Sequence, residues 1–251
     1  MFKRIRNWRV RRIVARHPIP DPLWQAALTQ CAPARRLGAS DQAALRVLAT
    51  LFLREKSLEP VQGLALDDAD RVLLATHACV PILKLGVDWF DGWHSVIVYP
   101  DAFVPHRTLV DEAGVVHRTS TPMAGEAWGR GPVILSWADV LNAGKRPGQN
   151  VVIHEMAHKL DLQNGAANGF PPLHRGMDPR VWTRVFSDTW EHLRQAHHQG
   201  IPIPINPYGL ENPAEFFAVV SEQFFEAPAM LREHLPEVYR QLELFYRQHP
   251  Y

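Results

Sequence analysis

Cysteine and long apolar runs are both scarce in this sequence. Among its 251 residues only Cys31 and Cys79 are cysteines, which is too few for a disulfide framework and suits a reducing compartment. No apolar run approaches the roughly 20 residues that a membrane-spanning helix needs, and the longest candidate, DRVLLATHACVPILKLGV, is interrupted by histidine, proline and lysine. We therefore expect a cytoplasmic protein without a transmembrane segment.

An overall charge imbalance is also lacking, except at the N-terminus. The formal net charge of +1 gives no general reason to expect direct nucleic-acid binding. The segment 1–16 is basic and contains no acid, but no apolar h-region or cleavage site follows it, so it does not indicate a secretory signal. Residues 1–19 are predicted to form a separate basic segment, which could be helical. Packing on the body, binding to anionic lipid and binding to nucleic acid all remain open for it.

The remaining chain, residues 20–251, is predicted to form a single domain of the α+β class. Helical periodicity dominates residues 20–86, where Ser40 and Asp41 are the predicted N-cap of one helix. The runs HSVIVYPDAFV and GPVILSWADVL are β-rich, and the segment between them indicates a hairpin or an edge strand. Helices return in the second half of residues 87–251. This order favours a mostly helical fold with a small mixed sheet over a doubly wound one.

The segment NVVIHEMAHKLDLQNG, residues 150–165, places two histidines one helical turn apart. With Asn150 as the predicted N-cap, His154 and His158 lie on one helix face, so both imidazoles can bind one metal ion. Glu155 lies in the same turn and can accept a proton from water without binding the metal. The alternative is a helix with two ordinary histidines. In a chain with this many histidines, the HExxH pattern occurs by chance with a probability of roughly a few per cent.

A third metal ligand must come from elsewhere in the chain. A metzincin site is excluded, because Asn164 stands where its third histidine would be and Asp161 where its glycine would be. Two interpretations of Asp161 stay open. It accepts a hydrogen bond from a ligand imidazole or a nearby backbone group, or it is a solvated acid beside Lys159.

The segment ENPAEFFAVVSEQFFE, residues 211–226, is a predicted apolar helix with glutamates along one stripe. A carboxylate on a buried helix needs a partner, and a metal ion is one such partner. Glu215, near the helix start and better exposed to a cleft, is favoured as the third ligand, and Glu222 remains the alternative. Glu211 is expected to cap the helix or to be solvated.

These motifs carry a family resemblance. HEMAHKLD followed by NPAEFFAVVSEQFF resembles the Mlc titration factor A family of zinc metallopeptidases, whose catalytic core is similar to that of anthrax lethal factor. The segments LEPVQGLALDD, PILKLGVDWFDGWHSVIVYPDAFV and GEAWGRGPVILSW also resemble that family. The resemblance therefore covers roughly Pro20 to the C-terminus and leaves out the basic segment 1–16.

The resemblance implies a zincin-like fold and a gluzincin site with one Zn²⁺ per chain. It implies that His154, His158 and Glu215 are the metal ligands and that Glu155 is the catalytic base. Lethal factor is similar in having a tyrosine seven residues before its glutamate ligand, a position held here by Tyr208. Its phenol could donate a hydrogen bond to the developing oxyanion, and a loop aromatic packed on the preceding proline is the alternative.

Two hypotheses for the function follow. The first is a zinc peptidase acting on short peptides, with aminopeptidase activity implied by the resemblance. Its substrate would lie extended along an edge strand in GEAWGRGPVILSW, although GPVILSW is equally compatible with an interior strand. The second is an interaction protein that sequesters an Mlc-like transcriptional repressor of sugar uptake, the zinc being structural or modulatory. A monomer is favoured in both.

Overall fold

The computed structural model describes residues 10–101, 107–110, 116–119, 125–127 and 131–250. The first half of the predicted basic segment, residues 1–9, lies outside them, and residues 10–16 form helix α1. Within the described part of the chain, no helix combines the length and the apolar character that crossing a membrane requires.

Helices predominate in the N-terminal part of the described chain. Four follow α1: α2 (Asp21–Gln30), α3 (Ala32–Arg35), α4 (Ala39–Glu55) and α5 (Asp68–Cys79). The predicted N-cap of α4 is wrong, because the helix begins one residue before Ser40, with Gly38 at its N-cap. The predicted continuation of α5 to Gly86 is also wrong, since Pro81 has no N–H with which to extend the helical hydrogen bonds.

The main sheet is mixed, as predicted, with strand order β1-β2-β6-β5. Its strands β1 (Ser57–Pro60), β2 (Ser95–Tyr99) and β6 (Val133–Ser136) are parallel, and β5 (Gly125–Ala127) pairs antiparallel with β6. A separate hairpin consists of β3 (Arg107–Val110) and β4 (Val116–Thr119). The predicted hairpin and edge strand are therefore both present. Strand β1 was missed, because Ser57–Pro60 lie within the residues for which helical periodicity predicts helix.

The C-terminal half supplies the remaining helices: α6 (Trp137–Leu141), α7 (Val151–Asp161), α8 (Pro179–His198), α9 (Pro213–Glu226), α10 (Pro228–His234) and α11 (Pro236–Tyr246). Short 3₁₀ helices cover Val87–Phe90, Leu162–Asn164 and Pro207–Leu210. Helix α7 packs against α9, α5 and the strands β5 and β6. It thus lies between the sheet and the apolar helix α9, and residues of all these helices and of β6 contribute to the hydrophobic core.

Gly169 fixes the loop after α7 against the start of α9. Its N–H donates to Asp161 Oδ2 at 2.7 Å, and its carbonyl accepts from Trp182 Nε1 at 3.0 Å. Its φ is +75°, and a Cβ at this position would lie 2.4 Å from the carbonyl oxygen of Pro213. Only glycine fits, because the residue adopts a left-handed conformation and its neighbour is main chain that cannot rotate away.

We expect Gly169→Ala to lower the free energy of unfolding by about 3 to 4 kcal/mol, from the left-handed conformation and the backbone clash together. The matched control is Gly200→Ala. Gly200 has a φ of +73°, but an added Cβ there meets no described atom within 4 Å. This control should lose only about 1 to 2 kcal/mol. Equal losses in urea denaturation would show that the approach to Pro213 costs nothing.

Candidate metal centre

Helix α7 begins where the sequence predicts. The side chain of Asn150 accepts a hydrogen bond from the N–H of Ile153 at 3.1 Å, which satisfies one of the free amides of the first turn. Val152 and Met156 are fully buried. This packing sets the rotation of the helix, so that His154 and His158 follow one another on a single face.

Helix α9 begins in a similar way. Asn212 is its N-cap, and the side-chain oxygen accepts from the N–H groups of Ala214 and Glu215, both at 3.0 Å. Pro213 occupies the first helical position, where its missing N–H costs no hydrogen bond. The cap and the buried Phe217 fix the first turn of α9, and with it Glu215, against α7.

The two helices bring three candidate ligand atoms together. His154 Nε2 lies 2.9 Å and His158 Nε2 3.3 Å from Glu215 Oε2, and the two nitrogens are 3.1 Å apart. All three residues could hold one metal ion. Burial alone would lower the pKa of His154, but the carboxylates of Glu215 and Glu222 outweigh it and raise that pKa well above its ordinary value. Such a cluster attracts positive charge, either a proton or a metal ion.

Glu222 lies on the opposite side of the same imidazole. Its Oε1 is 2.7 Å from His154 Nδ1, and its Oε2 accepts the N–H of Asn150 at 2.5 Å. A carboxylate there makes Nδ1 the protonated nitrogen and leaves the Nε2 lone pair free to bind a metal. The structure thus gives Glu215 and Glu222 different positions: Glu215 lies among the candidate ligand atoms, and Glu222 lies on the Nδ1 side of His154. Glu211 is exposed and does not cap α9.

Glu155 and Tyr208 both lie beside this cluster. Glu155 is only 2% exposed, and its Oε2 has no hydrogen-bond partner among the described residues. Burial, with the carboxylates of Glu215 and Glu222 opposing the effect of His154, raises the pKa of Glu155 to about 8. The ring of Tyr208 is centred 5.8 Å from that of His154. Burial, the nearby carboxylates and a hydrogen bond with Glu215 raise the pKa of the Tyr208 phenol, which therefore stays protonated at neutral pH.

Asp161 is fully buried, so the interpretation as a solvated acid is wrong. Its Oδ2 accepts from a backbone amide, that of Gly169, which is one of the roles expected for it. Its Oδ1 and the Nδ1 of His158 are both buried without a hydrogen-bond partner among the described residues. The part of the site behind His158 is therefore less fully hydrogen-bonded than the part behind His154.

Sequence reasoning missed the polar network around the N-cap of α7. Asn150 Nδ2 donates to His77 Nδ1 at 2.9 Å and to Glu226 Oε1 at 2.6 Å. His77 lies on the buried helix α5, where burial lowers its pKa to about 4. The signal in the sequence was a histidine inside the apolar run of α5. Nothing in that signal identifies its partner, which is 73 residues away.

Sequence reasoning also missed the burial of Lys159. It is 1% exposed, and its Nζ donates to the carbonyl oxygen of Gly131 at 2.8 Å. Burial lowers its pKa to about 8, although the nearby carboxylate of Glu155 acts in the opposite direction. The lysine between His158 and Leu160 was visible in the sequence, but the direction of its side chain and its partner were not.

Comparison with known proteins agrees with this geometry. The family described as glucose-regulated metallo-peptidase M90 matches residues 5–247. The chain is thus a metallopeptidase-type protein, for which a bound metal ion is implied. It belongs to the M90 family, which confirms the resemblance found from the two motifs. The match begins at residue 5, so the expectation that the segment 1–16 falls outside the family is wrong for most of that segment.

Curated relatives agree on the family. A protein named Mlc titration factor A from Yersinia enterocolitica is 37% identical over 217 residues, which cover 85% of this chain and 81% of the relative. A protein of the same name from Salmonella agona is 38% identical over 227 residues, covering 85% of this chain and 82% of the relative. Both alignments extend over most of each chain.

We expect Glu215→Ala to abolish stoichiometric binding of Zn²⁺ added to the metal-free protein, because it removes a ligand atom. Glu222→Ala should keep the site but weaken the affinity by about 10- to 100-fold, the usual effect of losing a carboxylate behind a ligand histidine. The exposed Glu211→Ala is the matched control and should leave the affinity unchanged. Competition with a chelator of known affinity measures all three. The assignment fails if Glu222→Ala empties the site and Glu215→Ala does not.

We expect His77 to make the metal-free protein less stable as pH falls from 7 to 5, while Glu155 and His154, whose pKa values are raised, act in the opposite direction. Its folded-state pKa of about 4 lies below the unfolded value of about 6.5, so the unfolded chain takes up the proton first. This single group should lower the free energy of unfolding by about 2 kcal/mol over that interval. In urea denaturation, the free energy of unfolding at pH 5 relative to pH 7 should therefore be about 2 kcal/mol higher for His77→Gln than for the native protein. An equal change in both proteins would contradict the assignment.

Proposed function

We propose that this protein is a zinc-dependent peptidase of the gluzincin type with a zincin-like fold, formed by residues 20–251 as one domain. The convergence of His154 Nε2, His158 Nε2 and Glu215 Oε2 carries the proposal. In a tetrahedral site with zinc–ligand distances of about 2.0 to 2.1 Å, the ligand atoms lie about 3.3 Å from one another. The three separations of 2.9 to 3.3 Å are close to that value.

The donor set also favours zinc over harder cations. Two neutral imidazoles and one carboxylate form the His₂Glu combination of catalytic zinc sites, in which the fourth position stays open. Magnesium and calcium prefer sites made of oxygen ligands. One zinc ion per chain, held by His154, His158 and Glu215, is therefore the cofactor we propose.

The reaction we propose is hydrolysis of a peptide bond. A zinc ion at this site supplies Lewis acidity, which polarises a peptide carbonyl and makes water a better nucleophile near neutral pH. Glu155 removes the proton from the attacking water and later transfers it to the departing amine. Glu155 is buried in the same helical turn as the proposed ligand His154, which suits a group that takes part in both steps. Tyr208 donates its phenolic proton in a hydrogen bond to the oxyanion.

The substrate we propose is a short peptide bound in an extended conformation. Strand β5 is one of the two edge strands of the described sheet, and it packs against α7, which carries His154 and Glu155. An extended peptide can add to such an edge through main-chain hydrogen bonds. The GPVILSW part of the predicted substrate strand forms β6, which is interior, so the proposed contact is restricted to Gly125–Ala127. Aminopeptidase activity is the specificity we propose, on the family resemblance.

A second candidate function comes from the name of the relatives. Mlc titration factor A denotes a protein that titrates Mlc, and a corresponding function here would be binding to a similar transcriptional repressor of sugar uptake. In that case the metal would be structural or modulatory. The two functions are separable, because repressor binding would not require the carboxylate of Glu155.

We expect Glu155→Gln to retain stoichiometric zinc and to lower the turnover of aminoacyl chromogenic substrates by about 10²- to 10⁴-fold, the usual contribution of a general base. The substitution keeps the size of the side chain and removes its basicity. A panel of aminoacyl and N-terminally blocked peptides, tested with both proteins at equal zinc content, measures the effect and the preference for free amino termini. Unchanged turnover in Glu155→Gln would refute the peptidase mechanism. A native protein that binds the repressor but cleaves none of the peptides would favour the second function.

A further inference from the structure

Lys159 follows the proposed ligand His158 directly, but its side chain leaves the metal cluster and reaches the sheet. The ammonium group donates to the carbonyl oxygen of Gly131 at 2.8 Å. Gly131 lies in the connection between the edge strand β5 and the interior strand β6. This hydrogen bond from a charged donor connects the helix of the HExxH motif to the β5–β6 hairpin.

A buried lysine is a costly way to fill space. An ammonium group loses its hydration on burial, and an apolar side chain of similar length would occupy the same volume without that loss. Part of the cost is offset by the face of Trp93, whose ring centroid is 5.2 Å from Lys159 Nζ. The feature that an apolar side chain would lack is the hydrogen bond to Gly131.

A second buried lysine provides an internal comparison. Lys56 Nζ lies 4.2 Å from the ring centroid of Trp93, so the same indole contacts both ammonium groups. Lys56 donates to the carbonyl oxygens of Phe90 and Trp93, at 2.5 and 2.6 Å, in the segment before β2. The two lysines therefore share their burial and their aromatic neighbour, and differ in the part of the chain that they hold.

The edge strand needs such an additional contact because it is short. Only three residues of β5 pair with β6, Gly125 with Leu135, Glu126 with Ile134 and Ala127 with Val133. Its other side is unpaired within the described part of the chain. A hydrogen bond between α7 and the β5–β6 connection adds a restraint to this short ladder, at the helix that carries His154 and Glu155.

We propose that Lys159 is a positioning residue for the peptide substrate, which holds the β5–β6 hairpin against α7 so that a peptide backbone lying along β5 is presented to His154 and Glu155. This proposal rests on the proposed peptidase function. Lys159 itself contacts neither the metal nor the scissile bond. Its loss should weaken substrate binding and leave both metal binding and the chemical step largely intact.

The test compares Lys159→Met with Lys56→Met as the matched control. Both substitutions remove a buried ammonium group next to Trp93 and keep an unbranched side chain, so both should lower the unfolding temperature. Below that temperature Lys159→Met should bind zinc stoichiometrically and show a KM about tenfold higher, with kcat changed by less than about threefold. Lys56→Met should keep both constants close to those of the native protein. A native KM in Lys159→Met, or an equal rise in both variants, would overturn the proposal.

Amide hydrogen exchange supplies a measurement that does not depend on activity. In the metal-free protein, residues 125–127 and 131–136 should exchange about tenfold faster in Lys159→Met than in native protein or Lys56→Met. Equal exchange in the two variants would overturn the positioning role. If the native protein cleaves no peptide, the peptidase proposal fails, and the exchange result still decides whether Lys159 holds β5. Should Lys159→Met not fold, Lys159→Gln, which retains a donor group but loses the charge and part of the reach, takes its place in both measurements.

Discussion

The carboxylate of Glu222 holds the site together. One oxygen accepts the backbone N–H of Asn150 at the start of α7, and the other lies against Nδ1 of His154 one turn later. A single side chain of α9 therefore fixes the position of α7 along its own axis and the orientation of a ligand imidazole. Glu222 orients the His154 imidazole, and Glu215 lies against its other nitrogen. Because both glutamates are on α9, the separation of their carboxylates is fixed by the helix.

The surroundings of this contact are unusually polar for a protein interior. Asn150, His77 and Glu226 form a hydrogen-bonded chain behind the N-cap, and Lys159 and Lys56 lie on Trp93 at the opposite end of α7. Buried polar groups of this kind stabilise little when they are complete and cost a great deal when one partner is lost. Here these hydrogen bonds fix the position of α7, because each one restricts how the helix can shift against the helices and strands around it.

Local features of the fold and the site were predictable from the sequence where the cause is itself local. The predicted cap Asn150 lies within three residues of the amide that it binds, and the four-residue spacing of His154 and His158 determines their common face. Strand β1 was not predictable, because the residues of Ser57–Pro60 form a strand only through pairing with β2, which lies beyond the whole of α5 in the sequence. Spacing placed Glu215 and Glu222 on one stripe, but only the rotation of α9 in the core decides which one faces Nε2. The family match supports the class of protein and leaves those individual roles to experiment.

The separation of the ligands along the chain has a further consequence. His158 and Glu215 are 57 residues apart, so an unfolded chain keeps a local pair of histidines but no longer holds the proposed third ligand beside them. An ion that binds the folded chain and not the unfolded chain stabilises the fold. The gain is about 4 kcal/mol when the free-ion concentration is about 1,000 times the dissociation constant. The supply of metal thereby influences how long the molecule survives proteolysis, since proteases act mainly on the opened chain.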